Sequence, residues 1–132
     1  MEIDRNLPVL ITGATGYVAG WVVKHFLEKG FTVHAAIRDA ENKTKRHHLD
    51  QIANNCDGII RFFESDLLVE GSYDEAMKGC QIVVHTASPF LLETKDPQRD
   101  LIDPALKGTI NVLNSVNKTD TVTRVVITSS VA

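Results

Sequence analysis

The chain has 132 residues, 43% hydrophobic and 23% charged, with 14 basic against 17 acidic side chains and a formal net charge of −3. This is the length of about one domain and the composition of a packed core, which excludes a disordered tail, a collagen or a coiled coil. With an isoelectric point near 5.9 and a mean hydropathy of −0.06, it presents no broad basic face for nucleic acid or an anionic membrane.

Five short runs rich in β-branched residues are predicted as strands: residues 8–12, 31–37, 59–63, 81–86 and 124–128. They are apolar without clean alternation, as expected of parallel strands covered on both faces. Between the first two, Val18, Val22, Val23, Phe26 and Leu27 form a helical stripe that ends at Gly30, a residue suited to a left-handed cap. A second, more solvated helix is predicted over 41–54, with Leu49, Ile52 and Ala53 on its inner side. A short third helix over 72–78 is expected to start on Ser72 and Glu75 as a capping box. Asp96-Pro97 opens the fourth, which Pro104 should bend; Ile102, Ala105, Leu106, Ile110, Leu113 and Val116 are its predicted buried stripe. The order β-α-β-α-β-α-β-α-β predicts an α/β fold, a Rossmann-type doubly wound parallel sheet of five strands.

Cys56 and Cys80 have no C-x-x-C spacing and no signal peptide before them. Both read as small buried hydrophobes rather than a disulfide or a metal site, and the adjacent His47 and His48 point in different helix directions. No window reaches the roughly 18 uncharged residues of a membrane span. The expectation is a cytoplasmic protein with no membrane and no nucleic-acid partner.

The most informative stretch is Thr12-Gly13-Ala14-Thr15-Gly16-Tyr17-Val18-Ala19, because it joins the first strand to the first helix. There Gly13 permits the sharp turn, Gly16 removes a Cβ from the path of a pyrophosphate, and Ala19 lets the helix pack closely on the strand. Backbone N–H groups and the positive end of the helix dipole then face an anion. No Gly-Lys-Ser or Gly-Lys-Thr follows, so a nucleoside triphosphate cradle is disfavoured and a dinucleotide is predicted. The second strand ends in Ile37-Arg38-Asp39, with Lys43, Lys45 and Arg46 beyond. With apolar Ile37 where an NAD site usually places a carboxylate and Arg38 next to it, the site offers positive charge for a 2′-phosphate and favours NADP, with Arg38 and Lys45 on that phosphate; Asp39 leaves NAD open.

Together, Thr12-Gly13-Ala14-Thr15-Gly16, Arg38-Asp39, Asp66-Leu67, His85-Thr86-Ala87-Ser88-Pro89-Phe90, residues 103–116 and residues 124–130 resemble the extended short-chain dehydrogenase/reductase family. Within it, the resemblance is to the branch of dihydroflavonol reductases, cinnamoyl-CoA reductases and yeast-type NADPH carbonyl reductases. It implies an NADP-dependent oxidoreductase acting on a ketone or aldehyde. Asp66 and Leu67 would flank the adenine, Thr86, Ala87 and Ser88 would run beside the pyrophosphate and nicotinamide ribose, and Ser130, then Ser129, would match the serine that holds the substrate carbonyl. Epimerases, dehydratases and steroid dehydrogenases share the scaffold, and a non-catalytic NAD(P)-binding sensor would keep the glycine turn and Arg38. The family pairs that serine with Tyr-x-x-x-Lys, and this sequence has none: Met77 follows Tyr73 at that spacing and Trp21 follows Tyr17. Residues 1–132 are therefore expected to be the cofactor-binding portion of a longer reductase, inactive alone, self-associating through sheet left uncovered.

Overall fold

The computed structural model describes residues 2–89 and 92–131, so Phe90 of the 85–90 motif lies outside the described residues. The elements are β1 (Val9–Thr12), α1 (Tyr17–Glu28), β2 (Thr32–Ile37), α2 (Lys43–Asn54), β3 (Ile59–Glu64), α3 (Asp74–Met77), β4 (Ile82–His85), a π-helical turn (Gln98–Ile102), α4 (Asp103–Asn117) and β5 (Arg124–Ile127). All five strands are parallel, in the order β3-β2-β1-β4-β5. The chain therefore reverses direction across the sheet between β1 and β4, the switch point where such sheets open a crevice beyond their carboxyl ends.

Alternating side chains of β1, β2 and β4 feed two cores, with β3 and β5 at their margins. Val9, Ile11, Val33, Ala35, Ile37, Ile82 and Val84 pack with Ala19, Val23 and Leu27 of α1 and Leu49 of α2. On the other face, Leu10, Ala36 and Val83 meet Ala76 and Met77 of α3 and Val112 of α4. The predicted two-sided cover is present over β1, β2 and β4 but not over the edge strands β3 and β5, which contain no fully buried residue because each pairs on one side only. Gly30 takes the left-handed conformation expected of it, at φ +82°. Asn42 begins α2 by accepting from the Lys45 amide. Cys80 is buried and Cys56 is half-buried.

Two local expectations are corrected. Ser72 does not cap α3: its hydroxyl donates to the Asp66 carbonyl and accepts from the Asp66 amide, tying the chain after β3 to the start of α3, while Glu75 pairs with Lys78. The face of α4 is also different. Ile102, Leu106 and Ile110 are 53%, 58% and 48% exposed, and the buried residues are Gly108, Asn111, Val112 and Ser115. Gly108 faces Leu67 so closely that a Cβ there would lie 2.8 Å from a Leu67 methyl carbon. Small residues thus make the hollow that accepts Leu67, and a larger apolar stripe could not. Asp96 does cap the helical start, accepting from the Arg99 amide. Ahead of α4, the Asp103 amide reaches back to the Gln98 carbonyl, a π-type bond. Pro104 has no N–H with which to continue an α-ladder at this point.

Candidate functional site

A cleft of about 580 Å³ opens beyond the carboxyl ends of β1, β2 and β4. Its floor is Gly13, Thr15 and Gly16; one wall is Ile37 and Arg38, continued by Ser65 to Leu68, and the other is Thr86 to Pro89, with Asp100 and Pro104 at the rim. A larger and shallower groove of about 890 Å³ lies between α1 and α2, lined by Tyr17, Trp21, His48, Gln51 and Cys56 among others. It touches the glycine turn at Thr15 and Gly16 but runs from there along the α1–α2 surface to Glu28 and Cys56, and includes no residue from the ends of β2 or β4. The cleft, not the groove, has the position that a doubly wound sheet gives a nucleotide.

Gly13 is required here twice. Its φ is +61°, and a Cβ would fall 2.9 Å from the Ala87 Cα. The turn and the approach of the loop after β4 both depend on it. Gly16 has ordinary backbone angles, φ −70° and ψ 162°, and a Cβ there would stand 3.2 Å from the Gly13 carbonyl oxygen and 4.0 Å from the Ala19 Cβ. A side chain there would crowd the backbone of the turn, and Gly16 is itself part of the cleft floor. No side chain caps α1 and no acidic residue lies in its first turn. The first N–H groups of the helix, Tyr17 and Val18 among them, therefore keep the positive end of the dipole uncompensated.

Thr12 is wholly buried, behind the wall instead of in it. Its Oγ1 accepts from the Thr86 and Ala87 amides, both at 3.1 Å, and lies 2.7 Å from His85 Nδ1. Thr12 thus supports the Thr86–Ala87 wall of the cleft from behind. Burial lowers the His85 pKa. The Tyr17 and Val18 side chains point outward, 84% and 58% exposed. Neither residue is in the cleft lining.

Arg38 is exposed at the end of β2 and lines the cleft, and among the described residues no ion pair engages it, Asp39 included. Lys45 is exposed on the first turn of α2 and is not part of the cleft wall. Arg46 is structural: it donates to the Ala40 carbonyl, pairs with Asp50 and lies over the Phe62 ring. Asp66 holds its own turn by accepting from the Leu68 amide through Oδ1, at 2.8 Å. The same residue borders the cleft, so its turn and lining roles coexist. Ser129 and Ser130 follow β5, exposed, and are not cleft residues.

Asn111 was not singled out in the sequence. It is 6% exposed. Its Oδ1 accepts from the Gly71 amide at 3.0 Å, and its Nδ2 faces the carbonyls of Val69, Leu67 and Asp66 at 2.8, 3.2 and 3.4 Å. One side chain on α4 thus moulds the whole 66–71 loop. The signal for it was the run Gly108-Thr109-Ile110-Asn111, a polar residue one turn after a helical glycine. Tyr73, beneath the same loop, has its pKa pushed up to about 12 by burial and by the charge of Asp66. Among the described residues no group of three or more His, Cys, Asp or Glu side chains could hold a metal, and no helix is long and apolar enough to cross a membrane.

A parallel sheet with this crevice and glycine turn defines a dinucleotide-binding fold, and residues 9–132 match the NAD dependent epimerase/dehydratase family. The chain belongs to that family. It is 48% identical over 94% of its length to a cinnamoyl-CoA reductase of Medicago truncatula, and 43% identical over 96% to a dihydroflavonol 4-reductase of Solanum lycopersicum. It spans 38% and 33% of those two proteins. Among solved structures it is similar to Gre2 of Candida albicans in complex with NADPH, with a TM-score of 0.78 and 32% identity, covering 94% of this chain and 37% of that one.

Proposed function

We propose that residues 1–132 are the NADP-binding part of a reductase that moves a hydride between a nicotinamide and the carbonyl carbon of a ketone or aldehyde. The observation that carries this is Arg38, a guanidinium in the cleft wall with no carboxylate partner among the described residues. A planar, permanently charged fork suits a phosphate ester, and an NAD site would place an acid there. Relatives named as cinnamoyl-CoA and dihydroflavonol reductases, and a Gre2 structure holding NADPH, support the same cofactor and reaction.

The residues present fit such a dinucleotide. The backbone of Gly13 to Gly16 and the uncapped start of α1 would take the diphosphate, Arg38 the 2′-phosphate, Asp66 and Leu67 the adenine, and Thr86 to Ser88 the second ribose. When bound, the nicotinamide supplies the hydride; the protein supplies orientation and electrostatics. Ser130, with Ser129 beside it, would hold the carbonyl oxygen. Neither tyrosine has the lysine that would activate it as a proton donor: Met77 follows Tyr73, which borders the cleft, at the four-residue spacing, and Trp21 follows Tyr17, which lines the other groove. The chain by itself therefore binds the cofactor without turnover. Self-association belongs to the same proposal, since Val126 and Ile127 on the edge strand β5 are each 47% exposed; a monodisperse monomer by light scattering at high concentration contradicts it.

Calorimetric titration with NADPH and NADH tests the cofactor. One charge-assisted contact predicts a preference for NADPH of roughly ten- to 150-fold, lost in Arg38→Ala. Equal affinity for both nucleotides in the unsubstituted protein refutes it.

A further inference from the structure

Thr12 Oγ1 has three nitrogen neighbours: the Thr86 and Ala87 amides at 3.1 Å and His85 Nδ1 at 2.7 Å. A hydroxyl carries one proton and accepts at two positions. The two amides can only donate, so they occupy both acceptor positions. The hydroxyl proton is left for His85 Nδ1, and a ring nitrogen that accepts is unprotonated, with its proton on Nε2.

We propose that His85 is a positioning residue of the nucleotide cleft: as the neutral Nε2–H tautomer it accepts from Thr12, and so keeps Thr12 as the double acceptor that fixes the Thr86–Ala87 backbone across Gly13. The functional consequence rests on the cofactor assignment above; the proton arrangement does not. The margin at this point is small, because the Ala87 Cα stands 2.9 Å from the position a Gly13 Cβ would take. A side chain at residue 85 that cannot accept turns the Thr12 proton toward another partner and frees its two amide bonds to rearrange. Thr12 and His85 face each other across the β1–β4 pairing, and Ile127 of β5 is the neighbour on the other side. Burial favours the neutral ring over the imidazolium; the choice between its tautomers rests on the hydrogen-bond geometry alone.

Nitrogen NMR of the labelled, unliganded protein at pH 7.5 reads the tautomer directly. An unprotonated Nδ1 and a protonated Nε2 are expected; the opposite tautomer, or an imidazolium, overturns the proposal. The paired test compares His85→Asn, whose Oδ1 can accept from Thr12, with His85→Leu, which cannot. His85→Leu is expected to speed amide exchange at Thr86 and Ala87 and to weaken NADPH binding roughly three- to tenfold, with His85→Asn near the unsubstituted protein. Equal losses in both variants, or no loss in His85→Leu, overturn it. If His85→Leu does not fold, Thr12→Val against Thr12→Ser asks the same question, with the loss expected only in the valine variant. Should the unsubstituted protein fail to bind NADPH, the cofactor assignment falls, while the tautomer and the exchange rates still decide for or against His85.

Discussion

Asn111→Leu keeps the size of the side chain and removes all of its hydrogen bonding to the 66–71 loop. The side chain accepts one bond from Gly71 and donates to carbonyls of Val69, Leu67 and Asp66, its two amide protons being shared among the three. Counting three net bonds at about 1 kcal/mol each, with some backbone groups left facing an apolar side chain, gives a cost of about 3 to 4 kcal/mol. For a chain of this size that is a drop in melting temperature on the order of 10 °C. Asn111→Asp is predicted to cost at least as much at neutral pH, because it keeps the bond from Gly71 but sets a carboxylate against three carbonyl oxygens. Differential scanning calorimetry measures both, and titration with 2′,5′-ADP on the folded variants reads the adenosine side of the cleft, where weaker binding is expected. A melting temperature within about 2 °C of the parent for Asn111→Leu refutes the view that this side chain holds the loop.

Gly13→Ala is predicted to lose dinucleotide binding and destabilise the fold, since both the φ of +61° and the 2.9 Å approach to Ala87 oppose a methyl group; retained NADPH affinity counts against this turn geometry. His34 and His85 both have pKa values lowered from 6.5, chiefly by burial. The unfolded chain then binds more protons, so their contribution to stability is complete above about pH 6.5 and declines as pH falls toward the folded values. Urea midpoints should drop between pH 7.5 and pH 5, and a flat profile contradicts the burial of these rings. Cys80, with its pKa raised by burial to about 12, should resist thiol reagents in the native state and react only after unfolding; rapid native labelling of Cys80 disproves its enclosure.

Much of this architecture was legible in the sequence. The five β-branched runs fall on the five strands within one residue at either end, because local β-branched and apolar content marks a strand whether it is buried on both faces, as β1, β2 and β4 are, or lies at an edge, as β3 and β5 do. The glycine turn was equally readable, since Gly13 answers to a backbone requirement local to the strand and helix it joins. The face of α4 was not. Ile102, Leu106 and Ile110 make the more apolar stripe, yet the buried side is built from Gly108, Asn111 and Ser115 to fit Leu67 and a loop forty residues earlier. Ser72 followed the pattern of a cap but found the Asp66 backbone. In both cases a contact distant along the chain decided, and helical periodicity carries no information about such a partner.

The central claim is that NADPH enters the crevice between β1 and β4 with its diphosphate at the start of α1. Amide chemical-shift mapping during an NADPH titration tests it most directly. The account predicts that the largest changes fall on Gly13 to Val18, Arg38, Asp66 to Leu68 and Thr86 to Ser88; changes confined to the groove between α1 and α2, around Trp21 and Gln51, would contradict it.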